Sequence, residues 1–353
     1  MFETVQQLLR ARMDDDTPAV AYGEKTWTWR EHLAEATAEA SVLIGLADTT
    51  RPLHVGALLG NSPAMLRSMA AAGLGGYVLC GVNTIRRGAG LLADIRRADC
   101  QLLLVDPDHL PLLDGLNLAD VTVLDVTSRR YLDAVQAPPP LVPHREVGPA
   151  DTLMMIFTSG TSGDPKAVRF AHVAAIMCGA SLIAQFEITA SDVCYLSMPL
   201  FHSNGVAAGW AVAIGSGATM VPARFSPSRF LADIRRHNVT YMNYVGKPLA
   251  LVLATPERPD DTDNTLRVAF GTKRPIAISQ NSPHDSAVAS STVSDRASSR
   301  SSSPAKTAPR PAPSARDIRA SRCTTRRPSP NARQRFSTRT GPWSTLTKRS
   351  ENW

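Results

Sequence analysis

The chain has 353 residues, 43% of them hydrophobic, which is enough for two or three packed domains and a sizeable core. Its formal net charge of +7 is unevenly placed: residues 272–353 carry 16 Lys+Arg against 4 Asp+Glu, while residues 1–271 hold 22 and 27. The basicity belongs to the last 82 residues and the body is mildly acidic, so no nucleic-acid partner is expected for it.

The five cysteines (Cys80, Cys100, Cys178, Cys194, Cys323) form no C-x-x-C pair and stand beside no His cluster at ligand spacing. That pattern speaks for a reducing compartment and against a structural zinc site. The opening MFETVQQLLRARMDDD lacks the apolar stretch of a signal peptide, and Gly205 to Val221 is too short and Gly-rich to span a bilayer. The expected setting is the cytoplasm, with peripheral membrane contact left open.

The first block alternates strands and helices. Ala19–Tyr22 and Thr26–Trp29 bracket a turn at Gly23-Glu24-Lys25, and Thr28 with Glu31 stands at capping-box spacing before a helix from Arg30 to Ile44. The apolar run Leu53–Leu59 reads as a strand buried on both faces, and Asn61-Ser62-Pro63 starts the next helix. Tyr77–Val82 and Gln101–Val105 read as strands on either side of a helix over Gly88–Arg97. Such alternation implies parallel βαβ units.

A Pro-rich, aperiodic stretch at 136–150 reads as a linker or long surface loop. The second block predicts strands at Leu153–Phe157, Asp192–Leu196, Ala218–Val221, Val239–Tyr244 and Leu266–Phe270. Helices are predicted at His172–Phe186, Val206–Ile214, from Ser226-Pro227 to His237, and at Pro248–Ala254. The expected domains are therefore 1–135, an α/β subdomain; 136–150, the linker; and 151–271, a second α/β subdomain.

From Thr272 onward there are 17 Ser and 13 Arg but only seven residues among Ile, Leu, Val and Phe. Such a segment buries too little apolar surface to offset its conformational entropy, so 272–353 is expected to be a disordered basic tail. Its abrupt onset after an apolar strand reads as a shifted reading frame, a natural disordered extension being the alternative.

The chemistry is concentrated in Ile156 to Val168, IFTSGTSGDPKAV. Thr158, Ser159, Gly160, Thr161, Ser162 and Gly163 follow a strand and precede Lys166. Glycines let backbone N–H groups approach an anion, hydroxyls add donors and the lysine adds charge, which together make a phosphate loop. It is not a Walker A loop, because Lys166 follows a proline instead of opening a helix behind Gly.

This run resembles the signature phosphate-binding motif of the adenylate-forming superfamily, which includes the AMP-forming acyl-CoA synthetases. Met198-Pro199-Leu200-Phe201-His202-Ser203-Asn204-Gly205 resembles that family's P-L-F-H-x-N-G segment. Tyr244-Val245-Gly246-Lys247-Pro248-Leu249 looks like the corresponding segment of the very-long-chain acyl-CoA synthetase and fatty-acid transport branch. The resemblance covers nearly all of residues 1–271. It implies the α/β N-terminal domain of adenylate-forming enzymes, built of two αβα subdomains with the second incomplete.

The resemblance further implies an acid–thiol ligase that joins a fatty acid to ATP as acyl-adenylate and then passes the acyl group to CoA, with Mg²⁺ as the metal. Thr158 to Gly163 and Lys166 would hold the β- and γ-phosphates, with Lys166 and His202 as catalytic residues and Thr158 as a Mg²⁺ contact. His202, Asn204, Gly205, Tyr244 and Gly246 would line the acyl and adenylate side. The sequence departs from the family where Gly271 runs into Thr-Lys-Arg-Pro, and it holds neither a Y-G-x-T-E nor a Y-x-T-G-D segment. Weak or absent turnover is therefore expected. The alternatives are a non-catalytic remnant that binds nucleotide or acyl groups, and a basic nucleic-acid-interacting protein.

Overall fold

The computed structural model describes residues 2–158 and 165–272. After a short helix Val5–Arg10 (α1), the hairpin Pro18–Tyr22 (β1) and Lys25–Thr28 (β2) leads into the helix Trp29–Gly45 (α2). The capping box forms as the sequence predicts: the Thr28 hydroxyl accepts from the Glu31 amide, and the Glu31 carboxylate accepts from the Thr28 amide. His54–Leu58 (β3), Pro63–Gly75 (α3), Val78–Gly81 (β4), Gly88–Arg97 (α4) and Leu102–Val105 (β5) follow as predicted in type and order. The edge strand Thr122–Asp125 (β6) and the helix Arg129–Gln136 (α5), four and eight residues long, were not read from the sequence.

Thr152–Thr158 (β7) and Lys166–Ala171 (β8) form an antiparallel pair ahead of His172–Phe186 (α6). Then come Val193–Leu196 (β9), Ser203–Gly205 (α7), Ala211–Ser216 (α8), Thr219–Pro222 (β10), Phe230–Arg236 (α9), Tyr241–Val245 (β11), Gly246–Leu253 (α10) and Val268–Thr272 (β12). Between α7 and α8 the chain winds as a π-helix over Val206–Trp210, so the single helix expected from Val206 to Ile214 is broken in its hydrogen bonding. The last strand runs on to Thr272, which pairs with Val245, so Thr272 itself belongs to the second sheet. Residues 273–353 lie outside the described residues, and the expected disorder there with them.

Two six-stranded sheets result, one ordered β12-β11-β9-β10-β1-β2 and the other β6-β5-β3-β4-β7-β8. Neither follows the sequence division at 136–150. The N-terminal hairpin joins the strands after residue 192 through β1 beside β10, with Val20 opposite Met220. Arg12 fastens the same junction through the carbonyls of Ile214 and Gly215, and the Trp29 indole donates to the Gly217 carbonyl. Conversely, β7 lies beside β4, so residues 152–171 complete the first sheet. Such pairings join residues far apart in sequence, and local periodicity carries no sign of them.

The 136–150 stretch is strapped to the body. Ser41 donates to the Pro139 carbonyl, the His144 amide to the Gly75 carbonyl, and Gln6 bridges the Arg145 carbonyl and the Val147 amide.

The main core lies between the sheets, where Val55, Leu79 and Met154 of one sheet and Leu196, Met220 and Tyr241 of the other enclose Leu9, Leu33, Met69 and Val212 from α1, α2, α3 and α8. A second cluster packs α4 on the outer face of the first sheet, and a third packs α9 and α10 on the outer face of the other. The order is five layers, helices alternating with sheets. Among the described residues no helix is long and apolar enough to cross a membrane.

One buried titratable group ties the core to pH. His32 on α2 lies edge-on to Trp29 at 6.1 Å between ring centroids, and its Nε2 has no partner. Burial, assisted by the nearby Arg67 charge, lowers its pKa to about 4. In the unfolded chain it titrates near its ordinary value of about 6.5. On acidification the unfolded state therefore binds the proton first, and stability present above about 6.5 is lost as the pH falls toward 4, at up to about 1.4 kcal/mol per pH unit. Urea unfolding at pH 7, 5.5 and 4.5 should show this slope, and the variant His32→Leu should show a shallower one. Identical pH dependence in the two proteins would exclude the assignment.

Candidate functional site

The carboxyl ends of the parallel strands in both sheets converge on one edge of the fold, the place where open α/β sheets hold their ligands. Four strand ends build it: β4 and β7 from the first sheet, β9 and β11 from the second. Asn61, in the turn between β3 and α3, joins them. Its Nδ2 donates to the carbonyls of Leu196 and Met198 at 2.9 and 2.8 Å, and its Oδ1 accepts from the Leu200 amide at 3.1 Å. One amide side chain thus splints the segment leaving β9 against the opposite sheet.

Gly81 makes the second contact. A Cβ there would lie 2.9 Å from Phe201 Cα and 3.2 Å from the Phe201 carbonyl oxygen, so only glycine lets the two backbones meet. Ile156 of β7 pairs with Gly81, and Thr158 lies two residues further along, about 7 Å at strand rise. The end of β7 and the Phe201–Gly205 segment therefore share one edge.

Thr158 and Lys166 face each other as the last register pair of β7 and β8, both exposed, at the mouth of the hairpin. Lys166 thus stands free of the core at the start of a strand. Ser159, Gly160, Thr161, Ser162 and Gly163, which separate the two, lie outside the described residues. The strand β8 itself was not read from the sequence, where Lys-Ala-Val-Arg-Phe-Ala lacks clean alternation.

His202 precedes α7 and is half-buried, its ring tilted against Phe201 at 4.6 Å between centroids. Burial lowers its pKa, which favours the neutral imidazole near neutral pH. Its ring nitrogens meet no hydrogen-bond partner among the described residues. Gly205 is buried, and a Cβ on it would lie 2.3 Å from the Pro199 carbonyl oxygen, which closes the turn around His202. The His202 amide donates to that same Pro199 carbonyl at 3.0 Å.

Asn204 is brought to β11, but by a residue the sequence did not single out. Asn243 Nδ2 donates to the Asn204 backbone carbonyl at 3.1 Å and to its Oδ1 at 2.8 Å. Tyr244 is not brought to the edge: successive strand residues point to opposite faces, and Tyr244 packs in the outer cluster with its ring over Gly271. Gly246 opens α10 directly after β11, at the carboxyl end of that strand. The available sign for Asn243 was a polar residue inside the apolar strand Tyr-Met-Asn-Tyr-Val. Asn61 was legible only as part of a helix start, because its splinting partners lie more than 130 residues away.

Among the described residues no group of three His, Cys, Asp or Glu is placed to hold a metal ion. Among the described residues, Thr158 and Lys166 are the exposed polar pair at the hairpin mouth, a hydroxyl and an ammonium suited to an anion.

The chain is 43% identical over 276 residues to the medium/long-chain-fatty-acid–CoA ligase FadD17 of Mycobacterium marinum, covering 76% of this chain and 53% of that protein. It is 41% identical over 275 residues to a steroid-22-oyl-CoA synthetase of Rhodococcus jostii, covering 76% and 49%. The chain therefore spans about half the length of these curated relatives. Among solved structures, the N-terminal domain of FACL13 from Mycobacterium tuberculosis shares the fold with a TM-score of 0.69 at 19% identity, over 78% of this chain and 72% of that one. ATP-bound MatB from Rhodopseudomonas palustris shares it with a TM-score of 0.66 at 22% identity, over 76% and 55%. Residues 9–310 match the model of the AMP-binding enzyme family, and the chain belongs to that family.

Proposed function

We propose that this chain is the nucleotide- and acyl-handling part of an AMP-forming fatty-acyl-CoA synthetase. The supporting observation is the shared edge: Thr158 and Lys166 at the hairpin mouth stand on the same strand-end face as the His202–Gly205 turn. A reaction that joins a carboxylate to a triphosphate needs an anion site and an acyl site side by side, because both reactants are negative and must be held together.

In this reading the hydroxyls and amides from Thr158 to Gly163, with Lys166, hold the β- and γ-phosphates of ATP. The fatty-acid carboxylate then attacks the α-phosphorus, one P–O bond forms and the bond to pyrophosphate breaks. The thiol of CoA subsequently attacks the acyl carbonyl, and AMP leaves. Mg²⁺ would supply charge neutralisation on the phosphates, and Thr158 is the residue of this chain proposed to contact it. Lys166 stabilises the charge that moves onto the pyrophosphate oxygens. His202, neutral and half-buried against Phe201, forms a wall that excludes water from the mixed anhydride.

The relatives act on acids of two kinds, fatty and steroidal, and the open strand-end edge does not favour one by charge. A fatty acid is proposed because FadD17, the medium/long-chain-fatty-acid–CoA ligase, is the more similar of the two. A chain that spans half the relatives' length is proposed to bind ATP and the acid and to turn them over slowly or not at all.

Titration calorimetry with MgATP should give saturable binding, and Lys166→Ala should weaken it by about 10- to 100-fold, the worth of one hydrogen bond to a charged group. Equal affinity in the variant would refute the phosphate-site assignment. Fatty-acid-dependent exchange of pyrophosphate into ATP would establish the adenylation step, whereas binding without exchange would leave the chain a binding module. Gly205→Ala should lower the thermal midpoint by several degrees, since the added methyl meets the Pro199 carbonyl and overpacking costs about 1–3 kcal/mol. An unchanged midpoint would show that the turn has room to yield.

A further inference from the structure

Asn243 is fully buried in the middle of an apolar strand, between Met242 and Tyr244, on the sheet face turned toward the π-helical segment Val206–Trp210. Its orientation is fixed by chemistry: the Asn204 backbone carbonyl can only accept, so the nitrogen of the Asn243 amide must face it. That choice leaves Asn243 Oδ1 turned inward with no partner, against Gly209. A buried acceptor without a donor carries its full desolvation penalty, and an apolar residue of similar volume would suit the core better. Packing within the strand therefore does not account for an asparagine here; its two hydrogen bonds to Asn204 are what the amide adds.

What the amide does is hold the His202 turn from one side. Asn61 binds the Leu200 amide, two residues before His202, and Asn243 binds both oxygens of Asn204, two residues after it. Between these points the turn is closed by the hydrogen bonds from the His202 amide to Pro199 and from the Val206 amide to His202. Each asparagine reaches from a different sheet, Asn61 from the end of β3 and Asn243 from within β11. His202 is thus suspended between two amides that contact only the backbone and side chain of its flanking residues.

We propose that Asn243 is a positioning residue for His202, tethering the far end of its turn so that the imidazole stays against Phe201 at the strand-end edge. This rests on the reading of that edge as the acyl-adenylate site. The ring itself reports the tether. Its pKa is held below the ordinary histidine value by burial, and release of the turn admits water and lets the value rise.

The experiment follows the His202 ring resonance through a pH titration in the full chain, for the wild type, Asn243→Ala and the volume-matched Asn243→Thr, alongside thermal midpoints. The expected result is a pKa that moves up toward the ordinary value in both variants. The Asn243→Thr midpoint should stay within about 2 °C of the wild type. A titration that does not move in Asn243→Thr, or one that moves only with a collapse of its midpoint, overturns the proposal and leaves Asn243 a packing residue. Dodecanoyl-sulfamoyladenosine, a stable mimic of a fatty acyl-adenylate, should bind the variants at least about tenfold more weakly. Equal affinity in variant and wild type also overturns the proposal. A wild type that fails to bind this probe refutes the acyl-adenylate reading instead, and the titration still decides the role of Asn243.

Discussion

The contact on which this architecture turns is the hydrogen-bonded clamp between Asn61 and the Leu196–Leu200 segment. Each sheet alone is a set of parallel strands with one antiparallel strand at its edge, and neither by itself brings the β7–β8 hairpin mouth next to the His202 turn. The clamp uses two donated hydrogen bonds and the carbonyl oxygen of one side chain; the Leu196 carbonyl at the end of β9 also accepts from the Ala223 amide, whereas the Met198 carbonyl and the Leu200 amide have Asn61 as their partner. Losing the amide would leave these two backbone groups unmatched, each at about 1–3 kcal/mol. The opposite sheet is thereby held at the shared strand-end edge, and Gly81 allows the backbones to close the remaining gap.

A π-helical winding at Val206–Trp210 follows from the same crowding. An α-helix starting at Ser203 must place its residues over β9 and β11 while its first turn stays under Pro199, and one wider turn absorbs the mismatch. The Ala208 carbonyl within this turn accepts a hydrogen bond from the buried Tyr241 hydroxyl at 2.7 Å. Other polar atoms at this end are left without partners, among them Ser197 Oγ and Trp210 Nε1. In the helical layer the wholly buried Glu39 accepts through one carboxylate oxygen from Arg67 at 2.6 Å and from the Tyr131 hydroxyl at 2.8 Å, tying α2, α3 and α5 together.

Much of the local structure was legible. The capping box at Thr28 and Glu31, the proline start of α3 and the span His172–Phe186 each depend on residues within one or two helical turns, and each appears where the sequence places it. The partnership of elements was not legible. Nothing within Pro18–Thr28 reveals that it will pair with Thr219–Pro222, because parallel pairing is decided by which faces can be buried together across the whole chain. Tyr244 shows the same limit at the level of one residue. The motif drew attention to the tyrosine, but strand alternation turns it outward and presents Asn243 to the turn instead.

The sequence by itself determined the alternation of strands and helices, the family, and the order Thr-Ser-Gly-Thr-Ser-Gly ahead of Lys166, since propensity, caps and motif chemistry act over short distances. Tertiary structure alone decided which strands share a sheet, that the hairpin mouth and the His202 turn meet on one edge, and that two asparagines from different sheets flank that turn. These outcomes depend on burial and backbone hydrogen bonding between residues 40 to 200 positions apart, where chain entropy rather than local preference sets the cost.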